Sequence, residues 1–245
     1  MRLTHKIARV VELLESEFGS PPRPTPKSTL DCLIQTVLSQ NTTDRVSHRV
    51  FHDLRRKFPR WEDARCAPLS ALRGIIHPCG LFRQKAVTIR GILEHLPRKR
   101  PSLLFLKRGS SADAYSYLRS LKGVGSKTAK VVMLFSLGRE VFPVDTHIAR
   151  VTKRLALANE SLTPDEISEQ IEPWVPPGKC VSLHLNLIRF GRDVCVPRKP
   201  RCIGCPLHRF CAYVKSRPPK PDEVYVVTKL VKPERARAHL SRKTS

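Results

Sequence analysis

The sequence contains no run of about 18 apolar residues, the length a helix needs to cross a bilayer, so no bilayer-spanning helix is expected. It is also poor in acidic residues: 21 Asp and Glu stand against 45 Lys and Arg, a formal charge of +24. That excess calls for an anionic partner or a solvated tail, and leaves nucleic acid or an anionic membrane surface as partners. The first twenty residues interrupt their hydrophobic positions with Glu12, Glu15 and Glu17, so they read as neither a signal nor a transit peptide. Sustained two-residue alternation and internal repeats are both missing ahead of the last thirty residues, which argues against a sheet protein. With 40% of its 245 residues hydrophobic, the chain can bury a core, and at roughly 150 residues per domain it forms one or two compact units.

What is abundant is helical spacing. Leu3, Ile7, Val10, Leu14 and Phe18 make one apolar stripe with charges opposite. After a Pro-rich linker, Pro21 to Pro26, a second stripe of Leu30, Leu33, Ile34, Val37 and Leu38 is apolar enough to be buried. Val46, Val50, Leu54 and Phe58 define a third helix. Phe82, Ala86, Ile89, Leu93 and Leu96 define another after the break at Gly80. Downstream, Ile148, Val151 and Leu155 repeat the pattern, and Thr163, Pro164 and Glu166 have the spacing of a capping box with proline at the first helical position. Val224 to Val231 is rich in β-branched residues but sits in a strongly basic stretch. Residues 216–245 are therefore expected to be a mobile basic extension.

Four of the eight cysteines crowd together as Cys195, Cys202, Cys205 and Cys211, separated by six, two and five residues. Without a secretory segment the compartment is expected to be reducing, where thiolates serve as metal ligands. Structural zinc commonly uses two close pairs, whereas only Cys202 and Cys205 are close here, a spread that suits a larger cofactor. Cys32, Cys66, Cys79 and Cys180 are scattered and read as ordinary thiols.

The segment Leu121-Lys122-Gly123-Val124-Gly125-Ser126-Lys127 lies between two helical patterns, the second carrying Ala129, Val132, Met133 and Ser136. Two glycines around one apolar anchor form a hairpin between helices, and amides at the start of the following helix can hold a phosphate. The run LKGVGSKTAKVV, then FPVDTHIARV, then the four cysteines, in this order, resembles the helix-hairpin-helix DNA glycosylases of the endonuclease III type. The resemblance covers roughly Met1 to Lys215.

It implies that Lys127 is the nucleophile that attacks the deoxyribose C1′ and forms a Schiff base, and that Asp145 assists by stabilising positive charge on the sugar. Lysine is almost wholly protonated at neutral pH, so the amine needs help from the first turn of its helix, partial burial and the nearby cations Lys122 and Lys130. Read alone, Lys127 could equally contact phosphate and Asp145 could be only a helix cap; His147 reads as structural. The target nucleotide must be flipped and its place filled. The resemblance puts Asn41, with Gln40 beside it, on one side and the apolar wedge Leu81 on the other. Asn41 stands where the family usually has Gln, and Lys122 where many relatives have Pro. Both are departures: a shorter filler and a looser hairpin with an added cation. Lys122, Gly123, Val124 and Gly125 of the hairpin, and Arg198, Lys199 and Arg201 between cysteines, are expected to meet the DNA backbone. The four cysteines are expected to hold a [4Fe-4S] cluster in a structural role.

The expected fold is therefore all-α, two helical lobes of the HhH-GPD glycosylase type with a C-terminal iron-sulfur module. Residues 25–135 would form the hairpin lobe, and residues 1–24 with 136–215 the second. The expected function is base excision repair by a bifunctional DNA glycosylase and AP lyase acting on damaged pyrimidines. The expected partner is double-stranded DNA with a damaged or mispaired base or an abasic site, bound by a monomer in the cytoplasm at the nucleoid. Two alternatives stand beside it: a mismatch or modified-base glycosylase removing thymine, uracil or methylcytosine, and a non-catalytic cluster-bearing DNA-binding protein. The second would not need Lys127 and Asp145 together.

Overall fold

The computed structural model describes residues 2–22, 28–99 and 102–217. The basic extension from residue 218, including Val224 to Val231, lies outside the described residues, as do residues 23–26 of the Pro-rich linker. Every regular element among the described residues is helical.

Helix α1 (Leu3–Phe18) buries Ile7, Val10, Val11 and Leu14 and stops at Gly19, whose φ of 83° takes the chain out of the helix while its N–H bonds the Glu15 carbonyl. Helix α2 (Thr29–Ser39) is capped by the Ser28 hydroxyl and buries Leu30, Leu33, Ile34, Val37 and Leu38, the full apolar stripe. Each such side chain contributes about 1.5–3 kcal/mol by leaving water. It packs on α3 (Asp44–Lys57). Two short helices follow, α4 (Trp61–Cys66) and α5 (Leu69–Ile76), and then a single 3-10 turn at His77–Cys79. Helix α6 (Phe82–His95) begins after Leu81 and packs on α5. Helix α7 (Ser111–Ser120) opens with a capping box between Ser110 and Asp113. Helix α8 (Ser126–Val132) lies against α2 and widens into a π turn at Met133–Leu137.

The buried residues from Leu30 to Val141 form one core, joined by Cys180 and Val181. A second core starts at Phe142 and includes α1, α9 (Thr146–Arg154), α10 (Pro164–Ile171), α11 (Cys180–Asp193) and α12 (Ala212–Ser216). Helix α10 carries the capping box expected at Thr163 and Glu166. Helix α11 is central to this half, packed on both α1 and α9, and its first residues reach back into the other core. The chain crosses between cores at Val141 and Phe142, three residues ahead of Asp145.

Candidate active site

The hairpin between α7 and α8 is closed by the Val124 N–H on the Leu121 carbonyl at 3.0 Å and braced by Arg119, which donates to the Val124 carbonyl at 3.0 Å. Leu121 and Val124 are buried, so Val124 anchors the turn from inside, while Lys122, Gly123 and Gly125 lie exposed. Gly123 is required twice over: its φ is 85°, and a Cβ there would sit 2.5 Å from the Thr88 hydroxyl of α6.

Lys127 stands in the first turn of α8, exposed and with no hydrogen bond or ion pair among the described residues. The partial burial expected for it is absent. Lys130 also departs from its expected part as a neighbouring cation. It points across to the second core, where its ammonium bonds Glu172 at 2.8 Å and the Ser168 hydroxyl at 2.6 Å. A one-turn spacing along α8 puts the two lysines on adjacent faces, and the apolar face took Lys130 inward. Asp145 is the N-cap of α9: its Oδ1 accepts the Ile148 N–H at 2.8 Å, and Oδ2 has no hydrogen bond among the described residues. The capping role is therefore real and leaves one half-buried carboxylate oxygen for other work.

Near both residues lies His184 of α11, which the sequence reading did not single out. Its Nδ1 donates to the Pro143 carbonyl at 2.9 Å, and its ring meets Phe135 edge to face at 5.6 Å. Burial pushes its pKa down to about 4, opposed by the Pro143 bond and the charge of Asp145, with the charge of Lys127 adding to the fall. The imidazole is neutral at pH 7. It fixes the backbone two residues ahead of Asp145 and lies within electrostatic reach of both Asp145 and Lys127.

Of the expected gap fillers, Asn41 is exposed at the tip of the α2–α3 loop with φ of 48°, while Gln40 turns inward and donates to the Thr128 hydroxyl at 3.1 Å. Gln40 therefore braces the loop instead of projecting from it. Leu81 is 54% exposed with φ of 46°, and Phe82 packs instead on His77. His147 is a packing residue, accepting from Arg150 and lying against Gly191.

All four clustered cysteines line one narrow pocket between α9, α11 and α12. Among the described residues, no three His, Cys, Asp or Glu side chains gather closely enough to hold a single metal ion. Burial pushes the Cys205 thiol up to about 12, a little offset by its bond to the Leu207 backbone, so ligation there has to displace a proton. Arg154 braces the cleft, donating to Cys195 Sγ at 3.3 Å and to the Val196 and Pro197 carbonyls at 2.8 Å, with its guanidinium over the Tyr213 ring. Arg198, Lys199 and Arg201 are exposed on the intervening loop, which turns at Lys199 with φ of 51°.

Residues 34–177 match the profile of the HhH-GPD superfamily base excision DNA repair protein. The chain belongs to this superfamily. It is 32% identical over 198 residues to endonuclease III of Bacillus subtilis, covering 78% of this chain and 84% of that one. An Arabidopsis thaliana protein provisionally named a DNA glycosylase is 39% identical over 168 residues, 68% of this chain but only 57% of that longer protein. Among solved structures, a trapped endonuclease III–DNA covalent intermediate superposes with a TM-score of 0.74 at 28% identity, covering 89% of this chain and 99% of that one. None of the described helices is long and apolar enough to cross a membrane.

Proposed function

We propose that the protein is a bifunctional DNA glycosylase and AP lyase of base excision repair that acts, as a monomer at the nucleoid, on double-stranded DNA bearing a damaged or mispaired pyrimidine. The observation that carries this reading is an exposed amine directly after a hairpin, Lys127, with no hydrogen bond or ion pair among the described residues, together with an Asp145 carboxylate that caps α9 through one oxygen and leaves the other without a hydrogen bond among them.

In this reading the flipped nucleotide presents C1′ to the Lys127 amine. The amine bonds to C1′ while the base departs with the electrons of the glycosidic bond and takes up a proton. The free oxygen of Asp145 stabilises positive charge on the sugar and accepts a proton from the attacking amine. Opening of the sugar ring gives an iminium, and loss of a 2′ proton expels the 3′-phosphate. Helix α8 assists by its start: Gly125 supplies no side-chain cap, so the amides of the first turn keep their positive potential beside the amine. Asn41 and Leu81 fill the vacated space, and the exposed cations of the hairpin and the cysteine loop hold the phosphates. Cys195, Cys202, Cys205 and Cys211 would hold a [4Fe-4S] cluster, whose part would be to fold that basic loop and not to break bonds.

Borohydride reduction during incubation with abasic duplex is the test. Wild-type protein is expected to become covalently attached to the DNA and Lys127→Gln is not; an equal adduct from the variant would refute the assignment. A panel of duplexes differing only in one modified or mismatched base identifies the substrate.

A further inference from the structure

Lys85 of α6 takes no part in the chemistry proposed above, yet it is one of the most deeply buried charged residues, 2% exposed. Its ammonium has three N–H bonds to place, and three oxygens receive them: the Leu38 carbonyl at 2.9 Å, the Thr42 hydroxyl at 2.7 Å and the Cys79 carbonyl at 2.7 Å. Each acceptor belongs to a different segment. Leu38 is in the last turn of α2, Thr42 is in the loop to α3, and Cys79 is in the turn that leads to α6. The Thr42 hydroxyl also donates to the Cys79 carbonyl, so the two loops meet at one point.

No carboxylate among the described residues neutralises this ammonium, and burial lowers its pKa. Keeping a charge out of water without a counter-charge is costly, and a methionine would fill the same space. The segments it joins carry two of the four non-glycine residues with left-handed backbone among the described residues, Asn41 and Leu81. Thr42 directly follows Asn41, and Cys79 lies two residues before Leu81. Strained backbone persists only where its surroundings over-determine it. One hydrogen-bonding group beside each strained residue, the Thr42 hydroxyl and the Cys79 carbonyl, meets the Lys85 ammonium.

We propose that Lys85 is a positioning residue that locks the Asn41 loop and the Leu81 turn to each other, so that both side chains enter the space left by a flipped nucleotide as one rigid pair. The proposal rests on the gap-filling reading of Asn41 and Leu81. It makes Lys85 matter only where a base stack has to be opened and filled, because a single strand has no stack to fill.

The test uses one probe in two forms, an abasic site in a duplex with 2-aminopurine beside it and the same abasic strand alone. Lys85→Met is expected to lower kcat on the duplex by about tenfold to a hundredfold, the effect of a site loosened by about an ångström, and to reduce the rise in 2-aminopurine fluorescence. Borohydride trapping on the single strand is expected to stay within about twofold of wild type. In the background of the Asn41→Ala, Leu81→Ala double variant, Lys85→Met is expected to cost no more than about a further twofold on the duplex. Equal losses on duplex and single strand, an unchanged duplex rate, or full multiplication with an impaired double variant overturns the locking role alone. A double variant that cleaves duplex like wild type overturns the gap-filling reading and this proposal with it. Should Lys85→Met fail to fold, Thr42→Val removes only the hydroxyl between the two loops, and a fall of about threefold confined to the duplex is expected; without that confinement the proposal is wrong.

Discussion

Lys85 and Lys130 are both buried on helices of the first core, and they are satisfied in opposite ways. Lys130 bonds the carboxylate of Glu172, whose same oxygen accepts the Phe142 N–H at 2.8 Å, and the Ser168 hydroxyl it touches donates to the Phe142 carbonyl at 2.6 Å. This network fastens the point where the chain passes from one core to the other. Lys85 has only neutral oxygens around it, all within the first core and all in or beside loops. A paired cation thus welds the two halves, whereas one held only by neutral oxygens fixes loop shape and contributes less to stability. The difference separates what holds the molecule together from what shapes its surface.

The largest effect on stability is expected from breaking the weld. Lys130→Met leaves Glu172 without its counter-charge in a half-buried site, held only by the Phe142 N–H, and urea denaturation should register a loss of about 3–5 kcal/mol. Next comes acid. The unfolded chain protonates His184 near the ordinary value of 6.5, whereas the folded chain resists until about 4. The contribution of the neutral ring is therefore complete above pH 6.5, shrinks as pH falls toward 4 and is gone below it, on the order of 3 kcal/mol in all. Denaturation at pH 7 and 4.5 measures most of this, and His184→Gln should flatten it. Lys85→Met should cost less, about 1–2 kcal/mol, since relief of the unpaired charge offsets the acceptors left bare. A loss equal to that of Lys130→Met would erase the distinction. The smallest effect belongs to the exposed link between the halves, Arg192 on Asp44 at 2.8 Å. Asp44→Asn should change stability by less than about 1 kcal/mol, and the change should vanish in high salt.

The long amphipathic helices were legible because their stripes are clean, and so was the hairpin, whose glycines have no cheaper use than a sharp turn. Helices α4 and α5 were not, because six and eight residues scarcely complete two turns, too few to display a period. Helix α11 hid for a different reason. It is buried on several sides, with Ser182, His184 and Asn186 inside, so it shows no single stripe. Lys127, Asp145 and the four cysteines were visible through motif spacing. His184 and Lys85 belong to no motif, yet one signal existed for Lys85. It falls three residues after Phe82 and four before Ile89, on the apolar stripe of α6, where a charge is out of place. Whether Gln40 or Asn41 projects was beyond sequence, because the answer depends on Thr128, 88 residues away.

That last contact has a mechanical meaning. Gln40 grips the hydroxyl of the residue adjoining Lys127, so a push on the loop tip at Asn41 travels through one side chain to the helix turn that holds the amine. Under the proposed function, probing the duplex and aiming the amine are geared together through this one contact.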